Sequence, residues 1–215
     1  MSGLLNAYSS LLRRRPLMGN ILTSAALFAT GDVIAQQIIE KKGDKHDFAR
    51  TGRIVIWGGA FFAPAVTIWF RVLEKVPITS KLPAAMTKAC LDQFIAAPTV
   101  LSTFFCVMTL MEGKSLDDAK KKWQDSFVPT LKTNWMVWIP VQFTNMVCYL
   151  PPYLASLANT SSIHLFEQLL VPPPLRLLFV NCVNVPWNTF LSLQASKGEP
   201  VLKEKGHVSE ISFGG

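Results

Sequence analysis

Apolar residues run in five long blocks, 17–39, 54–73, 84–111, 135–157 and 169–193, separated by short polar connectors. Within the blocks Leu, Met, Ala, Gly and Pro follow one another without period-two alternation, which argues against barrel strands. Each block reaches the ~20 residues a helix needs to cross ~30 Å of hydrocarbon. The pattern therefore predicts an all-α protein, a multi-pass transmembrane helical bundle with four to five membrane-embedded helices. Pro16 suits the first position of a helix, where its missing N–H would have no partner anyway. Gly43, the segment 77–83, Gly113 and Pro129 punctuate the connectors. Ser115 followed by Asp118 has the spacing of a capping pair and predicts a short polar helix carrying Lys120, Lys121, Lys122 and Trp123, the indole at headgroup level. Residues 1–16 read as a basic N-terminal segment, 17–195 as the transmembrane domain and 196–215 as a polar tail.

Composition agrees. Half of the residues are apolar and 16% are charged, against about 25% charged in a soluble domain. The net charge of +7 is spread over every connector, with no basic stripe, so it suits lipid headgroups and direct nucleic-acid binding is not expected. Basic residues fall on both sides of any even-numbered topology, and the positive-inside rule sets no orientation. Arg13, Arg14 and Arg15 stand in an acid-free, Ser- and Leu-rich stretch, the composition of a mitochondrial address and equally of a headgroup anchor. Cys90, Cys106, Cys148 and Cys182 lie in apolar surroundings without metal-ligand or paired spacing, which predicts reduced thiols and no zinc. Phosphate loops, nucleophile elbows and zinc-protease motifs are absent, and neither an enzyme nor a cofactor is expected.

Candidate chemistry resides in polar residues inside apolar blocks. Asp32 and Gln36, four apart, share a helix face with Gln37 beside them. Asp92 and Gln93 open the third block, and Lys88, one turn earlier, offers Asp92 an ion pair. Trp135, Trp138 and Gln142 mark the fourth block; Arg176, Asn181, Asn184 and Asn188 mark the fifth. An ionisable group facing hydrocarbon costs at least ~2.5 kcal/mol, so these residues should face the bundle interior or water. Structural hydrogen bonds between helices, worth about 0.6 kcal/mol each, are the slightly favoured explanation. Small residues at Ala25, Ala29, Gly31, Gly58, Gly59, Ala60 and Ala63 predict close helix packing. Pro64, Pro98, Pro140 and Pro186 each interrupt a block and predict kinks.

Together these residues are similar to the Mpv-seventeen and peroxisomal-membrane-protein family of small organellar membrane proteins. The resemblance rests on Gly31-Asp32 with Gln36-Gln37; Asp47 with Arg50 and Arg53; Gly59, Pro64 and Trp69-Phe70; and Asp92-Gln93 with Pro98. It continues through Asn134-Trp135, Trp138, Pro140, Gln142 and Asn145 to Val171-Pro172, Arg176, Trp187-Asn188 and Leu191-Ser192. Ala63 and Phe70 stand where the family often has Gly and Tyr. The resemblance implies a multi-helix protein of the mitochondrial inner membrane, or alternatively of the peroxisomal membrane, whose relatives look like channels or metabolite pathways. It is greatest to the mitochondrial stress-inducible branch, linked to stress tolerance and mitochondrial DNA maintenance.

One departure is large. The family places Val-Pro shortly after the residue matching Asn145, whereas Val171 lies far downstream here. Removing 147–168 restores the run Asn145-Met146-Leu169-Leu170-Val171-Pro172. Val147-Cys148 can be encoded by an intron start, Ala158-Asn159 by a branch site and Gln168 by an intron end, so 147–168 reads as an insertion or a translated intron, with a lineage-specific loop as the alternative.

The expected function is a weakly selective channel or metabolite pathway; a structural or scaffolding membrane protein is the alternative. Asp32, Gln36, Asp92, Gln93, Gln142, Asn145 and Asn188 are the candidate pore-lining or gating residues, and Arg50, Arg53, Lys120, Lys121 and Lys122 the candidate mouth or lipid anchors. Expected partners are membrane lipids, a small-molecule or ionic permeant and further copies of the chain.

Overall fold

The computed structural model describes residue 10 and residues 14–77, 81–147 and 176–197, and all described regular structure is helical. Helix α1 (Pro16–Ile34) continues through a π-helical turn (Ala35–Ile39), and α2 (Phe48–Ile56) runs through a π turn (Trp57–Phe62) into α3 (Ala63–Glu74). Likewise α4 (Lys81–Leu91) passes through a π turn (Asp92–Ala96) into α5 (Ala97–Met111), followed by α6 (Leu116–Val147) and α7 (Arg176–Ser196). Three continuous stretches, Pro16–Ile39, Phe48–Glu74 and Met86–Met111, are long and apolar enough to cross a membrane, with 24, 27 and 26 residues. At ~1.5 Å per residue they measure about 36–40 Å. Leu22, Ile38, Ile68 and Phe94 are each more than half exposed on these stretches, as side chains turned toward lipid must be. The architecture is that of a membrane helical bundle.

Two of the π turns lie just ahead of prolines. Pro64 and Pro98 follow Trp57–Phe62 and Asp92–Ala96, and the N–H groups of Ala63 and Ala97 bond five residues back, to the carbonyls of Gly58 and Asp92. A proline lacks the N–H and crowds the carbonyl four residues earlier. The wider turn gives that carbonyl room, so the spans run on through Pro64 and Pro98 without a break. The first span ends differently. Lys41 adopts φ 53° and the N–H of Lys42 reaches the Gln36 carbonyl at 2.9 Å, a Schellman-type closure.

The expected short helix after Ser115 is corrected: α6 is one helix of 32 residues that runs through both Pro129 and Pro140. Its capping pair forms as predicted, Ser115 N–H donating to Asp118 Oδ2 at 3.0 Å and Asp118 N–H to Ser115 Oγ at 3.1 Å. The Ser115 hydroxyl also donates to Asp118 Oδ2 at 2.7 Å, and this bond together with the Ser115 N–H holds the Asp118 carboxyl below its ordinary value. Both prolines lie on the exposed side, and so does Asp125, whose carbonyl Pro129 leaves unbonded. The inner side therefore keeps its ladder, packed along α5. Trp123 donates to Ser102 Oγ on α5 at 2.9 Å and stacks on Phe127.

The core joins the two halves of the bundle. Phe28 of α1, Ile54 and Trp57 of the second span, Phe104, Phe105 and Met108 of α5, and Trp187 and Leu191 of α7 form one buried cluster. Helix α7 packs chiefly on α1, crossing where Gly31 leaves room for the Asn188 backbone. Gly58 makes a similar allowance for the Phe28 ring, whereas Gly59 meets only ordinary contacts.

Candidate functional site

Asp47 caps α2 by accepting the Arg50 N–H at 2.9 Å, and this start directs the Arg50 side chain inward. Arg50 is 2% exposed, beside an Asp32 that is fully buried, with Nε 3.0 Å from Asp32 Oδ1. Its Nη1 donates to both oxygens of Glu40, at 2.8 and 2.9 Å, and Nη2 donates to Ser192 Oγ at 2.6 Å. Ser192 in turn donates to Asp32 Oδ1 at 2.5 Å, so a single serine on α7 completes a bond cycle between the first two spans. The other Asp32 oxygen accepts from Gln36 at 2.8 Å and from Thr51 at 2.6 Å. Lys42 reaches Glu40 at 3.0 Å. Two acids and two bases thus balance, and the desolvated Asp32 is paired and hydrogen-bonded, as a buried ion must be.

Two further residues extend the network outward. Asp32 takes the single Thr51 hydroxyl proton, so His46 Nε2 donates to Thr51 Oγ1 at 2.9 Å, while Nδ1 accepts from Gln37 Nε2 at 3.0 Å. The bonding pattern selects the Nε2–H tautomer.

Burial alone would raise the Glu40 and Asp47 carboxyls, but hydrogen bonds and charge from Arg50 and Lys42 hold Glu40 below its ordinary 4.5. The Arg50 N–H and the charges of Arg53 and Lys42 likewise hold Asp47 below 3.8. Since both folded-state values are depressed, the unfolded chain takes up protons first as pH falls. Their stabilisation is therefore complete above about pH 5 and lost as pH drops through the folded values. Melting of the detergent-solubilised protein should show a decline below about pH 5 that Glu40→Gln makes shallower; an unchanged pH profile in the variant would refute the Glu40 assignment.

A second polar cluster lies between the second and third spans and α6. Asp92 accepts from Trp69 Nε1, Gln93 Nε2 and Gln142 Nε2, each at 3.2 Å. Gln93 is buried, accepting from Asn134 Nδ2 at 3.1 Å through its side chain and from Trp135 Nε1 at 3.0 Å through its carbonyl. The expected Lys88–Asp92 ion pair does not form: among the described residues Asp92 has neutral donors only.

Third, a half-open cavity of about 190 Å³ sits between α1, α3 and α7. Asn20, Thr23, Ser24, Thr67, Asn184 and Asn188 supply its polar lining.

The structure thus divides the candidate residues among three places. Asp32 and Gln36 join the Arg50 network, Asp92, Gln93 and Gln142 form the second cluster, and Asn188 fronts the cavity. The Asn145 side chain and the segment 148–168 lie outside the described residues. Arg50, expected at a mouth, is corrected to a buried partner of Asp32, because the Asp47 cap sets the helix phase that turns it inward. Arg53 is half-buried on the same helix, and Lys120 and Lys121 are exposed on α6. Lys122 donates to the Lys197 carbonyl. Sequence reasoning missed Glu40, Thr51 and His46, which read as connector residues; Ser192 entered only through the resemblance.

The sequence model of the Mpv17 / PMP22 family matches residues 109–161 and 148–192. Protein SYM1 of Mycosarcoma maydis is 48% identical over 176 residues, covering 81% of this chain and 77% of that protein. Protein SYM1 of Gibberella zeae is 37% identical, covering 89% of this chain and 97% of its own length, and that of Saccharomyces cerevisiae 34%, covering 90% and 91%. No solved structure matches. With relatives this similar along nearly their whole length, the chain belongs to the Mpv17 / PMP22 family.

Proposed function

We propose that this protein is a weakly selective passage for small solutes in the mitochondrial inner membrane, acting in stress tolerance and mitochondrial DNA maintenance without covalent chemistry. The observation that carries the passage is Asp92, a carboxylate inside a span with three neutral donors and no cation among the described residues. Such a group is costly in a membrane and is retained where a cation or proton is accommodated. Family membership and the basic, acid-free N-terminus support the compartment. Exposed Lys120 and Lys121 remain candidates for a basic mouth.

Purified protein in planar bilayers under a salt gradient tests this reading. A unit charge ~4 Å from a hydrated ion contributes about 1 kcal/mol, so Asp92→Asn should lower the cation-to-anion permeability ratio roughly fivefold. Absence of conductance, or an unchanged reversal potential with reduced protein yield, would establish the scaffolding alternative. For Asp32 and Gln36 a fastening role is favoured, since Asp32 accepts from Thr51 of the second span and Ser192 of α7, and Gln36 bonds the Asp47 backbone at the start of α2.

Residues 147–168 are proposed to be an insertion relative to the family, encoded by a retained intron. The family match breaks into two overlapping pieces, and their overlap falls inside this segment. Sequencing the mature transcript should reveal molecules lacking these codons; uniform retention refutes the intron.

A further inference from the structure

The cavity between α1, α3 and α7 differs from both charged clusters in one respect: among the described residues no Asp, Glu, Lys, Arg or His lines it. Asn188 is 3% exposed, yet its amide makes no hydrogen bond to any described residue; it is not sealed in either, because it fronts the open space. Asn184, one turn earlier on α7, and Ser24 on α1 also line the cavity without a hydrogen-bonded partner among the described residues. Asn20 and Thr67 satisfy each other across it at 3.3 Å. Such an accumulation of unpaired amides and hydroxyl at the interface of packed helices is expected to be met by something that fills the space.

We propose that this cavity is a binding site for an uncharged solute of the polyol class, gripped by Asn184, Asn188 and Ser24. Each amide offers both donors and an acceptor, and the serine offers one hydroxyl, a mixed set that matches hydroxyl groups, which also do both. A carboxylate could only accept and an ammonium only donate, and either would leave water with no countercharge in the lining. Phe28, Phe62 and Leu27 supply apolar walls for the C–H faces of the same molecule. At ~30 Å³ per water, 190 Å³ holds roughly six waters, room for a polyol of three or four carbons. The position is apt as well. Asn20 to Phe28 lie along the first half of the first span, so the cavity reaches inward from one end of that span.

Equilibrium dialysis of the full chain in detergent against labelled erythritol tests the proposal, with succinate and choline as charged probes of similar size. Saturable erythritol binding at least tenfold tighter than either charged probe is expected. Asn188→Leu should abolish it. Because Asn188 also packs against Gly31, Asn184→Leu and Ser24→Ala, at half-buried positions, provide variants that keep the crossing intact, and each should weaken binding about tenfold. A competition arm with phosphatidylglycerol and phosphatidylcholine micelles separates a free polyol from the glycerol of a lipid headgroup: displacement by phosphatidylglycerol alone identifies the headgroup as the source of the hydroxyls. No saturable binding, equal binding of the charged probes, or unaltered binding by monodisperse Asn184→Leu and Ser24→Ala proteins overturns the proposal and leaves a hydrated gap between helices. The readout needs no gradient and no conductance, so binding here and passage past Asp92 succeed or fail separately.

Discussion

Replacing Arg50 with methionine is expected to lower the stability of the folded bundle by about 3–5 kcal/mol. Among the described residues the guanidinium is the only base in contact with Asp32, which is fully buried, and it also holds both Glu40 oxygens and Ser192. Methionine keeps much of the volume but leaves a desolvated carboxylate, and the loss is dominated by that orphaned charge rather than by the bonds removed. The sharper test is the second substitution. Asp32→Asn with Arg50→Met removes the charge pair altogether, and because a buried pair roughly balances its own desolvation, the double variant should recover most of the loss. Unfolding of purified protein in mixed micelles, followed by tryptophan fluorescence, measures both. A single-variant loss below about 1 kcal/mol, or a double variant no better than the single, would show that Asp32 and Arg50 are not coupled as the geometry indicates.

Gly31→Val should be nearly as damaging, at about 3 kcal/mol, through packing instead of charge. A Cβ at Gly31 would stand 2.6 Å from Asn188 Cβ and 2.8 Å from the Asn188 and Thr189 backbone. A backbone cannot rotate aside, so α7 must withdraw from α1, and the Ser192 bonds one turn on are stretched with it. Gly52 is the internal control. Nothing lies within 4 Å of a Cβ there, and Gly52→Ala should be neutral or slightly stabilising, since alanine is the better helix former. Equal losses at the two glycines would mean that something other than the α1–α7 crossing governs the result.

The comparison of Gly31 with Gly59 shows where the sequence stops being readable. Both sit in apolar blocks among other small residues and look alike in the chain, yet only Gly31 lies at a backbone crossing. Block length was legible because hydrocarbon thickness sets a minimum that needs no tertiary knowledge. The Asp32–Gln36 pairing was legible because it follows from helical spacing, and the two do bond at 2.8 Å. Local spacing misled at Lys88, whose one-turn distance from Asp92 lost to Trp69 and Gln142 arriving from other helices. Arg50 misled for the opposite reason. It follows a polar connector, and only the helix phase set by the Asp47 cap reveals that it points inward. At Pro64 and Pro98 the predicted interruption takes the form of a π turn, which makes room for the carbonyl that the proline crowds while the helix continues.

The Asp32–Arg50 bridge also bears on how the polypeptide enters the lipid during synthesis. Alone, the first span would carry a bare carboxylate into hydrocarbon, and the second a bare guanidinium, each opposed by several kcal/mol. Neutralised against each other across a short connector they form a hairpin of nearly zero charge at that depth, so joint entry is the least costly route for a translocating machine to release them. The serine that completes the bond cycle belongs to α7, the last of the described helices, so this junction closes only once that helix has been made and has docked on the first two spans.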